Sequence, residues 1–205
     1  MLIKTLPVGQ IETNCYIVTD EDTLECAVID PGDESNTILD YIEEHHLKPK
    51  YIFLTHGHFD HTMAVNAVYE ETGATVCMNE KDAGAVLDNA PFKFNPPKDT
   101  IWYKEGDILH VGALTFEVIE TPGHTPGGVC LRCGEALFTG DTLFRDSCGR
   151  TDLYGGDMRE LMKSLRRLDA LPGDYEVYPG HMDSSTLSRE RAYNYYMRYA
   201  REIAD

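Results

Sequence analysis

Positive charge is what this chain has least of. Its 205 residues carry 18 Lys and Arg against 35 Asp and Glu, a formal charge of −17 at pH 7. Such a balance repels a phosphate backbone and an anionic lipid leaflet, so nucleic-acid binding and a membrane-surface role are both excluded as expectations. Long apolar runs are missing too: none approaches the roughly 20 residues of a membrane span. The opening Met1-Leu2-Ile3-Lys4-Thr5-Leu6-Pro7 has no apolar stretch followed by a small-residue cleavage site. It is not read as a signal peptide, and the expected location is the cytoplasm. No low-complexity block interrupts a composition that is 42% hydrophobic, which is ordinary for a globular chain. The length suits one domain over residues 1–205.

Paired thiols are also scarce. Of the six cysteines, at 15, 26, 77, 130, 133 and 148, only Cys130 and Cys133 form a C-x-x-C pair. With no second pair to complete a thiolate zinc site, and with both in a strand-and-turn run, the reading is reduced structural thiols.

What the chain does have is histidine in a dense cluster. His56-Gly57-His58-Phe59-Asp60-His61 puts three imidazoles and a carboxylate within six positions. The cluster follows Tyr51-Ile52-Phe53-Leu54-Thr55, a β-branched and aromatic run that reads as a buried strand. It precedes a stretch from Met63 to Tyr69 that reads as a helix. In extended backbone His56 and His58 point to one side, because the side-chain period is two. The chain then bends, so Asp60 and His61 can reach a neighbouring position, and one turn can serve two adjacent metal ions. Neither ion is filled by this motif alone. Three partners are available: His124 in Thr121-Pro122-Gly123-His124, Asp141 in Phe138-Thr139-Gly140-Asp141, and His181 in Tyr178-Pro179-Gly180-His181. Each stands at or just after an apolar run, beside Gly or Pro, where a strand end is expected.

Together these motifs resemble the metallo-β-lactamase fold superfamily, over nearly the whole chain from Asn14-Cys15-Tyr16 to beyond His181. Gly140-Asp141-Thr142-Leu143-Phe144 and Cys148-Gly149-Arg150-Thr151-Asp152 are most similar to the glyoxalase II and persulfide dioxygenase branch. The short, one-domain glyoxalase II-like hydrolases are the nearest likeness. The resemblance implies an α+β fold, the αββα sandwich of two facing mixed sheets with helices outside; the residue pattern by itself says α/β or α+β. It also implies that one metal takes His56, His58 and His124, the other takes Asp60, His61 and His181, and Asp141 bridges them.

Imidazole and carboxylate donors without thiolate suit zinc, iron or manganese, and two divalent ions, with zinc first, are expected. Two ions about 3.5–4 Å apart can hold a bridging water and bring its pKa near 7. The expected reaction is hydrolysis of an acyl bond in a small molecule, foremost a thioester of the hydroxyacylglutathione type, because a thiolate is the easiest group to expel. Asp60 is expected to be ligand and orienter of the nucleophile. The alternative from the same branch is a persulfide dioxygenase, which holds a single iron through residues matching His56, His124 and Asp141. A secreted β-lactamase is disfavoured by the missing signal peptide and by Asp141, where many of those enzymes carry cysteine. Arg150 either anchors an anionic substrate group, as the basic residue after Cys-Gly does in glyoxalase II, or pairs with Asp146 or Asp152. Asp152 and Asp183 stand where full-length glyoxalase II has tyrosines, which predicts poor use of glutathione thioesters.

Along the chain, strands are expected at 1–8, 15–19, 25–29, 51–54, 74–78, 100–103, 107–111, 114–119, 128–132, 136–139 and 175–178. Helices are expected over 35–46 with Ser35 as cap, from 63 to a stop at Gly73, over 80–87, from Asp157 with Glu160 completing a capping box, and over 185–203. Residues 88–99, with three prolines and two phenylalanines, read as a long loop that either forms a lid or tucks its rings into the core. His45 and His46 read as solvated helix-end residues and His110 as structural. Too few residues follow His181 for a second domain.

Overall fold

The computed structural model describes residues 1–83 and 94–203. The N-terminal half builds one mixed sheet from β1 (Leu2–Val8), β2 (Thr13–Thr19), β3 (Glu25–Ile29), β4 (Lys48–Phe53), β5 (Thr75–Met78) and β6 (Ile101–Trp102), in that order across the sheet. β1 to β3 run antiparallel, and β3 to β6 are parallel. The helices α1 (Ser35–Glu44), α2 (Phe59–Thr62) and α3 (Val65–Thr72) interleave with them.

The second half repeats the plan. β7 (Ile108–Val111), β8 (Leu114–Glu120), β9 (Val129–Cys133) and β10 (Ala136–Gly140) form a meander. A small hairpin of β11 (Leu143–Phe144) and β12 (Ser147–Cys148) and the helix α4 (Met158–Asp169) follow. β13 (Glu176–Pro179) then lies parallel to β10, and β14 (Ser185–Thr186) closes that edge before α5 (Leu187–Tyr193) and α6 (Tyr195–Glu202).

Alternation along each strand makes the layers. In β2 and β3, Tyr16, Val18, Ala27 and Ile29 face a cluster shared with Phe116, Val118, Leu131 and Phe138 of the other sheet. Their neighbours Cys15, Ile17, Cys26 and Val28 face the opposite way, onto Ile38 of α1 and Val65 and Val68 of α3. In the second sheet Ile119, Leu137 and Val177 turn outward onto Leu161, Leu165 and Leu168 of α4 and Met197 of α6. Two sheets therefore face each other, each with helices on its outer side: an αββα sandwich. Strands buried on both faces read as unbroken apolar runs, as residues 15–18 of β2 do. The same alternation disposes of the C-x-x-C pair: Cys130 lies in the outer cluster and Cys133 in the central one, on opposite faces of β9. Among the described residues every cysteine is a free thiol, and no helix is long and apolar enough to cross a membrane.

Several expectations shift. α1 is preceded by Glu34, in left-handed backbone and without a side-chain cap, so Ser35 is its first residue rather than its cap. The helix expected from 63 begins earlier and breaks in two, so Asp60 and His61 lie in α2 and not in a turn. It does stop at Gly73, whose φ of 67° is left-handed. Asp157 caps α4 through Arg159 N–H at 2.7 Å and Glu160 N–H at 3.3 Å. The box is only half made: Asp157 N–H donates to Gly123 O, and Glu160 accepts from Lys163. Met158, the first residue of α4, is exposed. The helix expected over 185–203 is broken at Asn194, whose ψ of 120° is extended and whose side chain caps α6. Its amide donates to Phe144 O and Ser147 O, which ties the C-terminal helices to the β11–β12 hairpin. Of the helix expected over 80–87, the described part is a single 3-10 turn, Glu80–Asp82, and residues 84–87 lie outside the described residues, as does the 88–93 portion of the expected loop. Phe94 is buried in the core. His45 and His46 are solvated, and His110 is exposed on β7 rather than packed.

Candidate metal centre

The site lies at one end of the sandwich, where strands from both sheets terminate. His56 and His58 follow β4, His124 follows β8, Asp141 follows β10 and His181 follows β13. β4 belongs to the parallel part of one sheet, and β10 and β13 are parallel neighbours in the other. Carboxyl ends of such strands are where α/β sheets place their ligands, because loops there diverge and leave a crevice.

All seven histidines and aspartates picked from the sequence meet in this crevice. Donor atoms of His56, His58 and His124 lie within 4.8 Å of one another, and so do those of Asp60, His61 and His181. Asp141 stands between the two groups. Its Oδ1 is 3.4 Å from His61 Nε2, while its Oδ2 is 3.4 Å from His124 Nε2 and 3.7 Å from His181 Nε2. Asp60 Oδ2 is 3.4 Å from His61 Nε2 and 3.1 Å from His181 Nε2.

The donors themselves test whether a metal fits. His56 Nε2, His61 Nε2, His124 Nε2 and Asp141 Oδ1 are buried and have no hydrogen-bond partner. Four orphaned polar atoms in one crevice would cost several kcal/mol in total if nothing satisfied them. Donors about 2.0–2.1 Å from a tetrahedral ion stand about 3.3–3.4 Å apart, which is the spacing found around Asp141. The residues present fit divalent ions.

The imidazoles are aimed from behind. His61 Nδ1 lies 2.9 Å from Asp30 Oδ2, His124 Nδ1 lies 2.6 Å from Arg150 O, and His181 Nδ1 lies 3.2 Å from Ile11 O. His56 Nδ1 lies 3.1 Å from Thr55 Oγ1, whose hydroxyl proton is given to Asp30 Oδ2. Each of these contacts turns Nε2 into the crevice and fixes the tautomer. Asp30, buried and in left-handed backbone at φ 50°, thus aims two histidines. Asp30, His56 and His61 also converge as a third acidic–imidazole group, but Asp30 is already engaged by His61, Thr55 N–H and Thr55 Oγ1.

Asp82 is the second residue that the sequence reading did not single out. It accepts from Gly57 N–H at 3.0 Å, Thr125 Oγ1 at 2.7 Å and Gly127 N–H at 2.6 Å. One carboxylate therefore clamps the His56–His58 loop to the His124 loop. Burial pushes its pKa up, against those three hydrogen bonds. Its partners lie 25 to 45 positions away, so no local signal in the sequence marks it.

Electrostatics sort the imidazoles. Burial and the neighbouring rings hold His56 well below the usual histidine range and bring His58 to about 4, so both are neutral donors. Burial lowers His61 too, but the carboxylates of Asp141 and Asp30 outweigh it and raise the group. Asp60 is pushed up by burial, then pulled below the carboxylate range by the His181 hydrogen bond and the His61 charge.

Gly180 makes the crowding possible. A Cβ there would sit 2.2 Å from Asp141 Oδ1 and 2.8 Å from His61 Cε1.

Arg150 does not point an unpaired cation at the crevice. Its guanidinium is held in two 2.7 Å hydrogen bonds by Asp152, and its contribution to the metal groups is the carbonyl behind His124. Asp146 pairs with Arg189 instead, and Asp183 lies 3.4 Å from Arg145.

Compared with known proteins, the metallo-beta-lactamase superfamily signature matches residues 8–181, and the chain belongs to that family. Hydroxyacylglutathione hydrolase GloC of Haemophilus influenzae is 34% identical, over 95% of this chain and 97% of its own length. Among solved structures, the BLEG-1 B3 metallo-beta-lactamase superposes with a TM-score of 0.86 at 33% identity, covering 96% of this chain and 99% of that one. TTHA1623 in a di-iron-bound form gives 0.83 at 35% identity, covering 94% and 99%. The two facing sheets with outer helices are the fold of that family.

Proposed function

We propose that this protein is a metal-dependent hydrolase of small acyl thioesters, holding two divalent ions in the crevice. The observation that carries it is the pair of ligand groups, whose His56, His61 and His124 Nε2 atoms are buried and unpartnered, as is Asp141 Oδ1 beside them. His56, His58 and His124 would hold one ion, Asp60, His61 and His181 the other, with Asp141 shared. The donor set suits zinc, and also iron or manganese; the likeness to a di-iron protein favours iron as the first competitor. When bound, such ions polarise the acyl carbonyl and lower the pKa of a water molecule to near 7.

The chain's own residues do the rest. Asp60, whose Oδ2 accepts from Thr13 Oγ1 at 3.3 Å and faces His181 Nε2, orients the nucleophile. Asp30 and Thr55 accept the Nδ1 protons of His61 and His56, which would leave each Nε2 to a bound ion. Cys148 lines the cleft, but burial raises its thiol to about 12, so it supplies no thiolate nucleophile at neutral pH. A departing thiolate needs little acid assistance. Residues 1–205 act as one domain in this reading, and the protein works in the cytoplasm.

The test is hydrolysis of a hydroxyacylglutathione and of neutral acyl thioesters, with and without a strong chelator. Chelator-sensitive turnover that His61→Ala abolishes is expected. Turnover that survives both contradicts the proposal. Because Cys148-Gly149-Arg150-Thr151-Asp152 resembles the persulfide dioxygenase pattern, the second reading is single-iron persulfide oxygenation. Oxygen uptake by the iron-loaded protein with a persulfide, in the absence of thioester hydrolysis, would establish that reading instead.

A further inference from the structure

The cleft beside the metal groups encloses about 570 Å³. Away from the ligands its wall is Ile11, Phe59, Phe144, Leu153, Tyr154 and Met182. Most of these stand open at the rim, with Tyr154 54% and Met182 61% exposed. Large apolar side chains left in water around one concavity mark a binding surface.

The backbone places three of these side chains at the rim. Met182 has a φ of 67°, left-handed for a residue with a long side chain, and such strain persists only where the surroundings impose it. Here Asn14, itself buried, donates its amide to Met182 O at 2.9 Å and to Pro179 O at 3.1 Å. Leu153 and Tyr154 ride on a turn closed by Gly156 N–H to Leu153 O at 2.9 Å. That turn lies against Pro126, whose ring would be 2.8 Å from a Cβ at Gly155.

Charge points the same way. Arg150 is the one cation among the described residues lining the cleft, and Asp152 neutralises it with two hydrogen bonds. Arg145, next in sequence to Phe144, is paired with Asp183. With a formal charge of −17 on the chain, an anionic carrier meets repulsion, and among the described residues lining the cleft no unpaired Lys or Arg stands open to anchor it.

We infer that the substrate of this site is an uncharged thioester with an apolar acyl chain, which lies against Leu153, Tyr154 and Met182, and that the Arg150–Asp152 pair excludes anionic thioesters. The inference rests on the hydrolase reading for its reaction but not for its recognition.

The metal-loaded protein is tested with S-acyl-N-acetylcysteamines from acetyl to octanoyl and with a hydroxyacylglutathione. kcat/KM should rise about threefold per added methylene until the wall is covered, and the longer neutral thioesters should exceed the glutathione thioester at least tenfold. Leu153→Asn should flatten the dependence on chain length. Asp152→Asn should free Arg150 and raise kcat/KM for the glutathione thioester about tenfold. A rate independent of chain length, or preference for the glutathione thioester, overturns the inference while leaving the hydrolase reading intact. If no thioester is turned over, calorimetry with S-hexyl-N-acetylcysteamine and S-hexylglutathione decides. Tighter binding of the neutral sulfide retains the apolar site and discards the hydrolase reading, and tighter binding of the glutathione derivative discards the inference.

Discussion

Replacing Asp82 by alanine isolates the clamp between the two ligand loops without touching a ligand. The substitution strands the N–H groups of Gly57 and Gly127 and the hydroxyl of Thr125, all buried. A buried amide left without a partner costs about 1–3 kcal/mol, and the hydroxyl can rotate elsewhere. Against that, burial already works against the Asp82 carboxylate, so its removal returns part of the loss. We expect a net destabilisation of about 2–4 kcal/mol, which for a chain of this size lowers Tm by about 5–15 °C. The same change loosens the loops that carry His56, His58 and His124, and affinity for the first metal ion should fall about 10–100-fold, as when supporting contacts behind ligands are lost. Denaturant unfolding of the metal-free protein gives the first quantity, and competition with a chromogenic chelator gives the second. Asp82→Asn should fall between parent and Ala, because its NH2 must face a donor N–H. An Ala variant that unfolds within about 0.5 kcal/mol of the parent and keeps its metal affinity would refute the clamp.

Other outcomes follow from single contacts. Gly180→Ala should lose at least tenfold in metal affinity and activity, since its Cβ collides with Asp141 Oδ1 and His61 Cε1; an active variant with full metal content would contradict the crowding argument. Asn194→Ala removes the α6 cap and two hydrogen bonds to the β11–β12 hairpin, and should cost about 2–3 kcal/mol in denaturant unfolding. Burial raises Cys26, Cys77, Cys130 and Cys148 to about 12, so at pH 8 only about one part in 10,000 of each is thiolate. Thiolate content and labelling rise with pH toward that value, and a thiol reagent at pH 8 should label these four on the hour scale only after unfolding; fast labelling of Cys148 in the native protein would show the wall to be more open than described.

The parts of this protein that could be read from its sequence are those whose signal is local. Strands such as β2 and β3 are apolar on both faces, because each face is covered, and such runs need no partner to be recognised. The histidine cluster is legible because its donors are packed within six positions, and His124, Asp141 and His181 because Gly and Pro mark the strand ends before them. What stayed hidden depends on distant partners. Asp30 and Asp82 resemble ordinary loop and turn acids until folding brings Thr55, His61, Gly57 and Gly127 to them. The break at Asn194 is invisible for the same reason: a continuous helical spacing of aromatic residues is overridden by hydrogen bonds to a hairpin some 50 positions earlier. Of the two readings open for Arg150, the ion pair with Asp152 forms, while its side chain also lines the cleft; the sequence around it carried both.

In the proposed function two ions, held by two ligand groups with Asp141 between them, would make this chain a thioester hydrolase. The most direct test is to titrate the metal-free protein with zinc while recording bound metal and hydrolysis of a neutral acyl thioester together. Activity should climb to saturation at two ions per chain, and the His61→Ala variant should hold only one ion tightly. Full activity at one ion, or hydrolysis by protein that binds none, would contradict it.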